Sequence, residues 1–212
     1  MRNRSLTLAL LASLAAMPAF AQDESASPTA KRFSVTGGYA LSEPKSDTGR
    51  IAGSESDFGG DGAPTLGATW HINDNFAVEA WGADAFGHRV ELGGAKAASV
   101  KAQPYALSAQ YHFGDAARTV RPFVGLGYYE MNFKDEQASA GGPLAGNRIG
   151  IDTAKGPMAT LGVDFNITPT WFARTDVRYL HTGATDVRVN GVDAAEAELD
   201  PVVVGVGIGA RF

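Results

Sequence analysis

From Arg32 onward, apolar residues alternate with small or polar ones in segments of about ten residues, each bounded by turn chemistry. A period of two belongs to a strand with one face in apolar surroundings. Eight such segments can be marked, at residues 32–42, 64–72, 76–85, 100–113, 121–133, 156–167, 171–182 and 198–212. The connections between them alternate in length. Asn73-Asp74-Asn75, residues 114–120 and Thr168-Pro169-Thr170 are short, whereas 43–63, 86–99, 134–155 and 183–197 are long and rich in Gly, Ser, Asp and Pro. Tight turns on one side and long loops on the other are what a membrane plane imposes on a spanning barrel.

The two faces of these segments differ in a way that fixes which side points inward. In the last segment Val202, Val204, Val206, Ile208, Ala210 and Phe212 share one face, and Val203, Gly205, Gly207, Gly209 and Arg211 share the other. In the sixth, Leu161, Val163, Phe165 and Ile167 oppose Thr160, Gly162, Asp164 and Asn166; in the seventh, Trp171, Ala173, Val177 and Tyr179 oppose Arg174, Asp176 and Arg178. An arginine at mid-depth on a lipid face costs about 2–4 kcal/mol, so the charged face must be the interior. A soluble barrel would show the reverse. The expected fold class is therefore all-β, an eight-stranded antiparallel transmembrane β-barrel with short periplasmic turns and long extracellular loops.

Glu79, Asp164, Arg174, Asp176, Arg178 and Arg211 become the expected interior charges, three acids against three bases. Such groups persist in a low-dielectric interior only when paired, and an eight-stranded barrel is just wide enough for side chains to fill. Alternation from Glu79 places Trp81 inside, and alternation from Arg178 does the same for Leu180, so these two are candidates for an apolar lining. Pro104, near the expected outer end of the fourth segment, has no N–H to give to a ladder and marks a weak point in the wall, a candidate lateral exit.

Aromatic residues support a membrane setting, because Trp and Tyr settle where one end of the ring is dry and the other wet. Phe33, Trp70, Phe76, Tyr111 or Phe113, Phe123, Phe165, Trp171 and Phe212 fall near the periplasmic ends of the segments, and Tyr39, Phe86, Tyr105, Phe133 and Tyr179 near the opposite ends.

Before Arg32 the pattern is of another kind. Arg2 and Arg4 precede an apolar run from Leu6 to Ala16, and Ala19-Phe20-Ala21 is the small-x-small pattern of a signal-peptidase site. Residues 1–21 thus read as a signal peptide, 22–31 as a flexible mature N-terminus and 32–212 as the barrel. Removing the signal takes away two arginines and no acid, so Lys+Arg falls from 18 to 16 against 23 Asp+Glu and the net charge moves from -5 to -7. This is not the clustered basic footprint of a nucleic-acid binder. No later window holds 18 consecutive apolar residues, so helical spans are excluded, and a closed barrel is the other structure that satisfies its backbone in lipid. Cysteine is absent, which removes disulfides, thiolate metal sites and a lipidated N-terminal cysteine.

Little else in the chain points to chemistry. His71, His88, His112 and His181 lie on four different segments with no two at metal-ligand spacing, none has a serine two residues away, and none stands beside an obvious nucleophile. Gly205-Val206-Gly207-Ile208-Gly209 and Gly125-Leu126-Gly127 lie inside strands without the helix that a dinucleotide fingerprint requires. Neither a cofactor nor an enzymatic activity is expected. Acids such as Glu55, Asp57, Asp61 and Asp200 in the long connections read as solvated charge, with divalent cations among lipopolysaccharides as the alternative partner.

Three stretches carry a family resemblance. They are LGATWHINDNFAVEAWGADAFGHRV (66–90), QPYALSAQYHFGDAARTVRPFVGLGY (103–128), and Leu199-Asp200-Pro201 leading to Gly209-Ala210-Arg211-Phe212. With these the chain resembles the outer-membrane protein W (OmpW) family, including its alkane-uptake relatives, over nearly the whole mature length, although the connections 43–63 and 134–155 do not match. The resemblance implies a cell outer-membrane location in a Gram-negative bacterium. It also implies porin-like, passive passage of small hydrophobic molecules through a narrow channel, with release sideways into the bilayer; proline occurs in the family at the position of Pro104. Outer-membrane lipids, lipopolysaccharide, the barrel assembly machinery and small hydrophobic solutes are the implied partners, with the terminal Phe212 as the assembly signal. Two other classes remain open on the residues alone: a structural or adhesion barrel with a plugged interior and partner-binding loops, and a lipid-modifying barrel enzyme.

Overall fold

The computed structural model describes residues 31–43, 50–51, 54–59, 61–92, 95–138, 149–182, 184–189, 192–198 and 200–212. The expected signal segment and most of the N-terminal tail lie outside the described residues, as do the side chains of Glu55, Asp57 and His88.

In chain order the strands are β1 (Phe33–Glu43), β2 (Arg50–Ile51), β3 (Ser54–Gly59), β4 (Asp61–His71), β5 (Phe76–Ala83), β6 (Phe86–Leu92), β7 (Ala95–His112), β8 (Val120–Ala138), β9 (Ile149–Ile151), β10 (Ala154–Asn166), β11 (Trp171–Leu180), β12 (Ala184–Val189), β13 (Val192–Glu198) and β14 (Val202–Arg211). Eight of them close a ring, β1-β4-β5-β7-β8-β10-β11-β14, every neighbouring pair antiparallel. Closure is made by β1 against β14, from Ser34 opposite Arg211 to Glu43 opposite Val202. No sheet edge is left at the membrane, which is the condition for spanning lipid with strands.

The intervals expected to be long loops hold further strand. β2, β3 and the start of β4 lie within 43–63, β6 and the start of β7 within 86–99, and β12 with most of β13 within 183–197. β7 and β8 run for 18 and 19 residues. At about 3.4 Å per residue β8 reaches about 60 Å, more than twice the apolar band of about 25 Å. The wall therefore continues as hairpins beyond the membrane on the side of the long connections. Polar, Gly-rich composition hid this, because outside lipid neither face of a ladder needs to be apolar.

Within the band the faces divide as the alternation requires. Leu107, Leu126, Leu161, Val206 and Ile208 are exposed on the outside, while Arg174, Arg178, Arg211, Glu79, Asp164 and Asp176 are buried inside. Exposed apolar area on this scale would be an aggregation hazard in water and is the natural boundary in lipid. Phe33, Trp70, Phe76, Tyr111, Phe113, Phe165, Trp171 and Phe212 are all exposed at the ends joined by short turns. Phe76, Tyr111 and Phe113 form an edge-to-face ladder with centroids 5.0 Å apart. Phe123 and Phe86, expected in the two aromatic belts, instead point inward and are fully buried. The glycines Gly125 and Gly127 share the face of Phe123, as the inward glycines of β14 share that of Arg211; proximity to a strand end was the weaker guide.

Candidate functional site: the filled barrel interior

Along the barrel strands the buried inward residues change character from one end toward the other, Ser42 and Thr182 being polar exceptions at the outer end. Near the short turns they are Ser34, Thr69, His71, Glu79, Ser108, Gln110, His112, Arg121, Thr160, Asp164, Arg174, Asp176, Arg178 and Arg211. Toward the long connections they are Ala40, Ala63, Trp81, Phe86, Ala102, Ala106, Tyr129, Met131, Met158, Leu180 and Val203, which form one apolar cluster. The period-two rule sends each of these side chains inside; only their position along the strand sets which layer they join.

The polar layer is organised by Arg174 on β11. Its Nε and Nη2 donate to the two carboxylate oxygens of Asp164 at 2.7 and 2.9 Å, and its Nη1 donates to Glu79 Oε1 at 2.7 Å. Arg178 donates from Nη1 to the other oxygen of Glu79 and from Nε to Asp176 Oδ1, both at 2.9 Å. Glu79 thus bridges two guanidiniums that stand on the opposite wall. Arg174 also lies 4.5 Å from the ring centroid of Phe123 and 5.5 Å from that of Phe172, so its uncovered faces meet π clouds. Desolvated charges of this kind are tolerable because each has partners with good geometry.

Five of the six expected interior charges meet in this lattice. The sixth, Arg211, stays at its margin: Nη2 is 3.8 Å from Asp164 Oδ2, and the guanidinium carbon is 4.2 Å from the centroid of Phe172. The expected balance of three acids and three bases needs correction, because Arg121 on β8 is also buried inside. Reading β8 by the glycine face would have revealed it.

Trp81 and Leu180 are buried where alternation put them, Trp81 under the guanidinium of Arg178 at 4.5 Å and Leu180 in the apolar cluster. Pro104 differs from its expected place. β7 starts at Ala95, so Pro104 lies in mid-strand and not near an end. The ladder gives way around it: β5 pairs with β7 as far as Gly82 opposite Tyr105, pairing resumes with Phe86 on β6 opposite Ala102, and one residue more lies between on the β5–β6 side than on β7. The Asp84 N–H turns to Pro64 O on β4 and the Ala85 N–H to its neighbour's carboxylate, Asp84 Oδ1. A proline is tolerated in mid-strand at such an irregularity.

The histidines were expected to stand apart from any nucleophile, and this too is corrected. His71 Nε2 is 3.2 Å from Ser34 Oγ on the neighbouring strand, and the His71 and His112 rings meet edge-on at 5.5 Å. His112 Nε2 contacts Gln110 Oε1 at 3.1 Å, and its Nδ1 is 3.8 Å from Asp164 Oδ2. Serine and acid are served by different histidines, so the order hydroxyl, imidazole, carboxylate of a hydrolytic triad is not assembled here. A link between residues 37 apart in sequence has no signal in local spacing.

Beyond the membrane, Asp200 ties down the start of β14. It accepts from Tyr179 Oη at 2.6 Å and from the Thr182 N–H at 2.8 Å, and lies 3.2 Å from His181 Nδ1. Desolvation pushes its carboxyl upward, but the hydrogen bonds from Tyr179, Thr182 and His181 outweigh this and hold it below the usual carboxylate range.

A closed, eight-stranded barrel with an apolar outside, an aromatic girdle and a charged inside is an outer-membrane protein of the Gram-negative type. The OmpW family profile matches residues 32–212, and the chain belongs to that family. It is 29% identical over its full length to outer membrane protein W of Vibrio cholerae, covering all of that protein. It is 30% identical to outer membrane protein W of Escherichia coli, with 99% of this chain and all of the other covered. Among solved structures, that of OprG from Pseudomonas aeruginosa superposes with a TM-score of 0.75 at 23% identity, covering 86% of this chain and 96% of the other. The solution structure of the Escherichia coli protein superposes at 0.59 and 26% identity, covering 86% and 98%. The ends joined by short turns therefore face the periplasm, and the long hairpins face outward.

Proposed function

We propose that this barrel admits small hydrophobic molecules from outside into the apolar upper half of its interior and releases them sideways into the bilayer beside Pro104. The observation that carries the reading is the coincidence of two features at one height. The apolar cluster ends downward on the ion-pair lattice at Trp81 and Arg178, and the wall at that cluster carries the interrupted ladder between β5–β6 and β7. Ala102 and Ala106, which flank Pro104 on the inward face, are small and belong to the cluster.

The energetics favour this route. An apolar solute gains about 25 cal/mol for each Å² buried against such side chains. Going straight down means parting Arg174 and Arg178 from Glu79, Asp164 and Asp176, which leaves buried charges uncompensated at several kcal/mol each. The cavity beside that lattice is about 20 Å³, room for water and not for a solute. Sideways release needs only the widening of a ladder that already lacks bonds.

The same filled interior supports a rival reading, a plugged structural barrel acting through its outer loops. A staple separates the two. The chain has no cysteine, and Gly82 and Tyr105 are opposed across the last β5–β7 pair before the break. Gly82→Cys with Tyr105→Cys, oxidised and verified by mass spectrometry, is expected to slow uptake of a hydrophobic fluorescent probe and to restore it on reduction, with the barrel still heat-modifiable on gels. Uptake unchanged by a verified staple removes lateral release at this site. Uptake no greater than in cells lacking the barrel removes transport and favours the structural role.

A further inference from the structure

Among the described residues the interior holds four arginines, Arg121, Arg174, Arg178 and Arg211, against three carboxylates, Glu79, Asp164 and Asp176. The register makes the shortfall local. Asp164 stands opposite Arg121 on β8 and opposite Arg174 on β11, and Arg174 takes both of its oxygens. Arg121, although 2% exposed, keeps Nε and Nη2 without any hydrogen-bond partner. Arg211, 3% exposed, keeps Nη1 and Nη2 likewise. Both line one small cavity with His71 at the periplasmic mouth.

The rim of that cavity adds positive charge. Lys31 is held there by Thr170 Oγ1 at 2.5 Å and Arg32 by the Ile72 carbonyl at 2.6 Å, both neutral acceptors, and among the described residues neither is in an ion pair. Asp74, the carboxylate among the residues lining the cavity, is exposed; it and Asp115 act on Arg121 at longer range, but none of the ion pairs among the described residues joins either of them to a buried arginine. Guanidiniums removed from water with donors unmade are costly unless an acceptor arrives from outside the chain.

We propose that the periplasmic mouth is a binding site for a phosphate oxyanion, seated between Arg121 and Arg211 with Lys31 and Arg32 at its outer side. The cavity is about 10 Å³, enough for one oxygen-sized group. The anion therefore inserts an oxygen between the two guanidiniums and leaves the rest of its charge at the exposed rim. Arginine forks suit the several acceptor oxygens of phosphate better than a single-point anion. The phosphate is either free in the periplasm or carried by a phospholipid headgroup of the inner leaflet.

The test uses the mature barrel refolded in octyl glucoside, free of phosphate and phospholipid. Inorganic phosphate is titrated and followed by calorimetry and by amide shifts. Saturable binding is expected, with shifts centred on His71, Ala116 and Arg211. Arg121→Gln should weaken it by about tenfold or more, the scale of one lost hydrogen bond to a charged group, and Arg32→Gln should weaken it less. A parallel titration with monomeric dihexanoyl phosphatidylglycerol identifies the source: binding with the same Arg121 dependence indicates a headgroup, and binding of inorganic phosphate alone indicates a soluble anion. Absence of saturable binding for both probes overturns the proposal. So does binding undiminished in Arg121→Gln. If Arg121→Gln does not fold, Arg32→Gln decides together with the shift map, and an unchanged affinity or shifts centred away from the mouth overturn it.

Discussion

The guanidinium carbon of Arg178 lies 4.5 Å from the centroid of the Trp81 ring, and this contact is the seam between the two layers of the interior. Below it every arginine of the lattice is held by carboxylates or rings; above it lies the cluster of alanine, valine, methionine, leucine and aromatic side chains, with Ser42 and Thr182 as buried polar residues at its outer end. The stacked guanidinium lets a charged layer end on an apolar one without leaving a bare charge against hydrocarbon.

Glu79 holds that arrangement together, since its two oxygens accept from Arg174 and Arg178. Glu79→Ala strips a carboxylate from two buried guanidiniums and is expected to cost about 3–5 kcal/mol of stability. The loss is measurable as a lower urea midpoint of the folded, heat-modifiable band. Glu79→Gln keeps acceptor capacity and should cost less. Equal midpoints for wild type and Glu79→Ala would remove the lattice from the barrel's stability.

Gly209 is required by a close approach. A Cβ there would strike the ring of Phe172, which lies over it and carries Arg211 on its face. Gly209→Ala is expected to destabilise by about 1–3 kcal/mol through overpacking. Combined with Phe172→Ala it should cost less than the two single changes added, because the clash vanishes with the ring. Strict additivity in the double-mutant cycle would contradict the packing described.

Asp200 should make the outer hairpin pH-sensitive. Its native carboxyl titrates below the unfolded value of about 4. Its contribution is thus complete above that value and is lost as pH falls through the lowered native one. Asp200 also has a φ of 33°, a left-handed conformation that asparagine tolerates, so Asp200→Asn tests the charge with little backbone cost. The variant is expected to be less stable than wild type at neutral pH, with the difference closing in acid. A difference that stays constant down to about pH 2 excludes this role.

Phe212 closes the seam as well as ending the chain. Its N–H donates to Phe33 O at 2.7 Å, and Phe33 donates back at 3.3 Å, while its ring faces outward. We expect deletion of Phe212 to lower the amount of folded barrel in the outer membrane, through the lost pairing and through loss of the assembly signal that we propose for it. Unchanged yield and gel shift would refute both. A deletion that folds normally from denaturant in detergent but poorly in cells would assign the effect to assembly.

Much of the wall was legible in the chain. Val204, Val206 and Ile208 against Gly205, Gly207 and Arg211, or Val177 against Arg174 and Arg178, each state a face without knowledge of a neighbour. The errors fell where a local rule competed with another. Phe123 obeyed alternation and not the preference of aromatics for strand ends. The outer hairpins were hidden in Gly-rich, polar connections: β6 does alternate, Phe86, Val90 and Leu92 against Arg89 and Glu91, and β12 sets Val187 and Val189 against Asp186 and Arg188, but these runs are shorter than the segments of about ten residues that mark the membrane wall.

The sequence by itself determined that this chain is a barrel turned inside out, because a period of two with charges on one face is stable only with lipid outside and a sealed interior. What the tertiary structure decided is which charges meet. Glu79 reaches arginines 95 and 99 residues away across the barrel, Ser34 finds His71, and Asp164, offered to both Arg121 and Arg174, is taken by Arg174. Alternation is a local property of a strand and fixes only the face. Partners across the interior depend on the stagger with which eight strands close, which no single strand encodes.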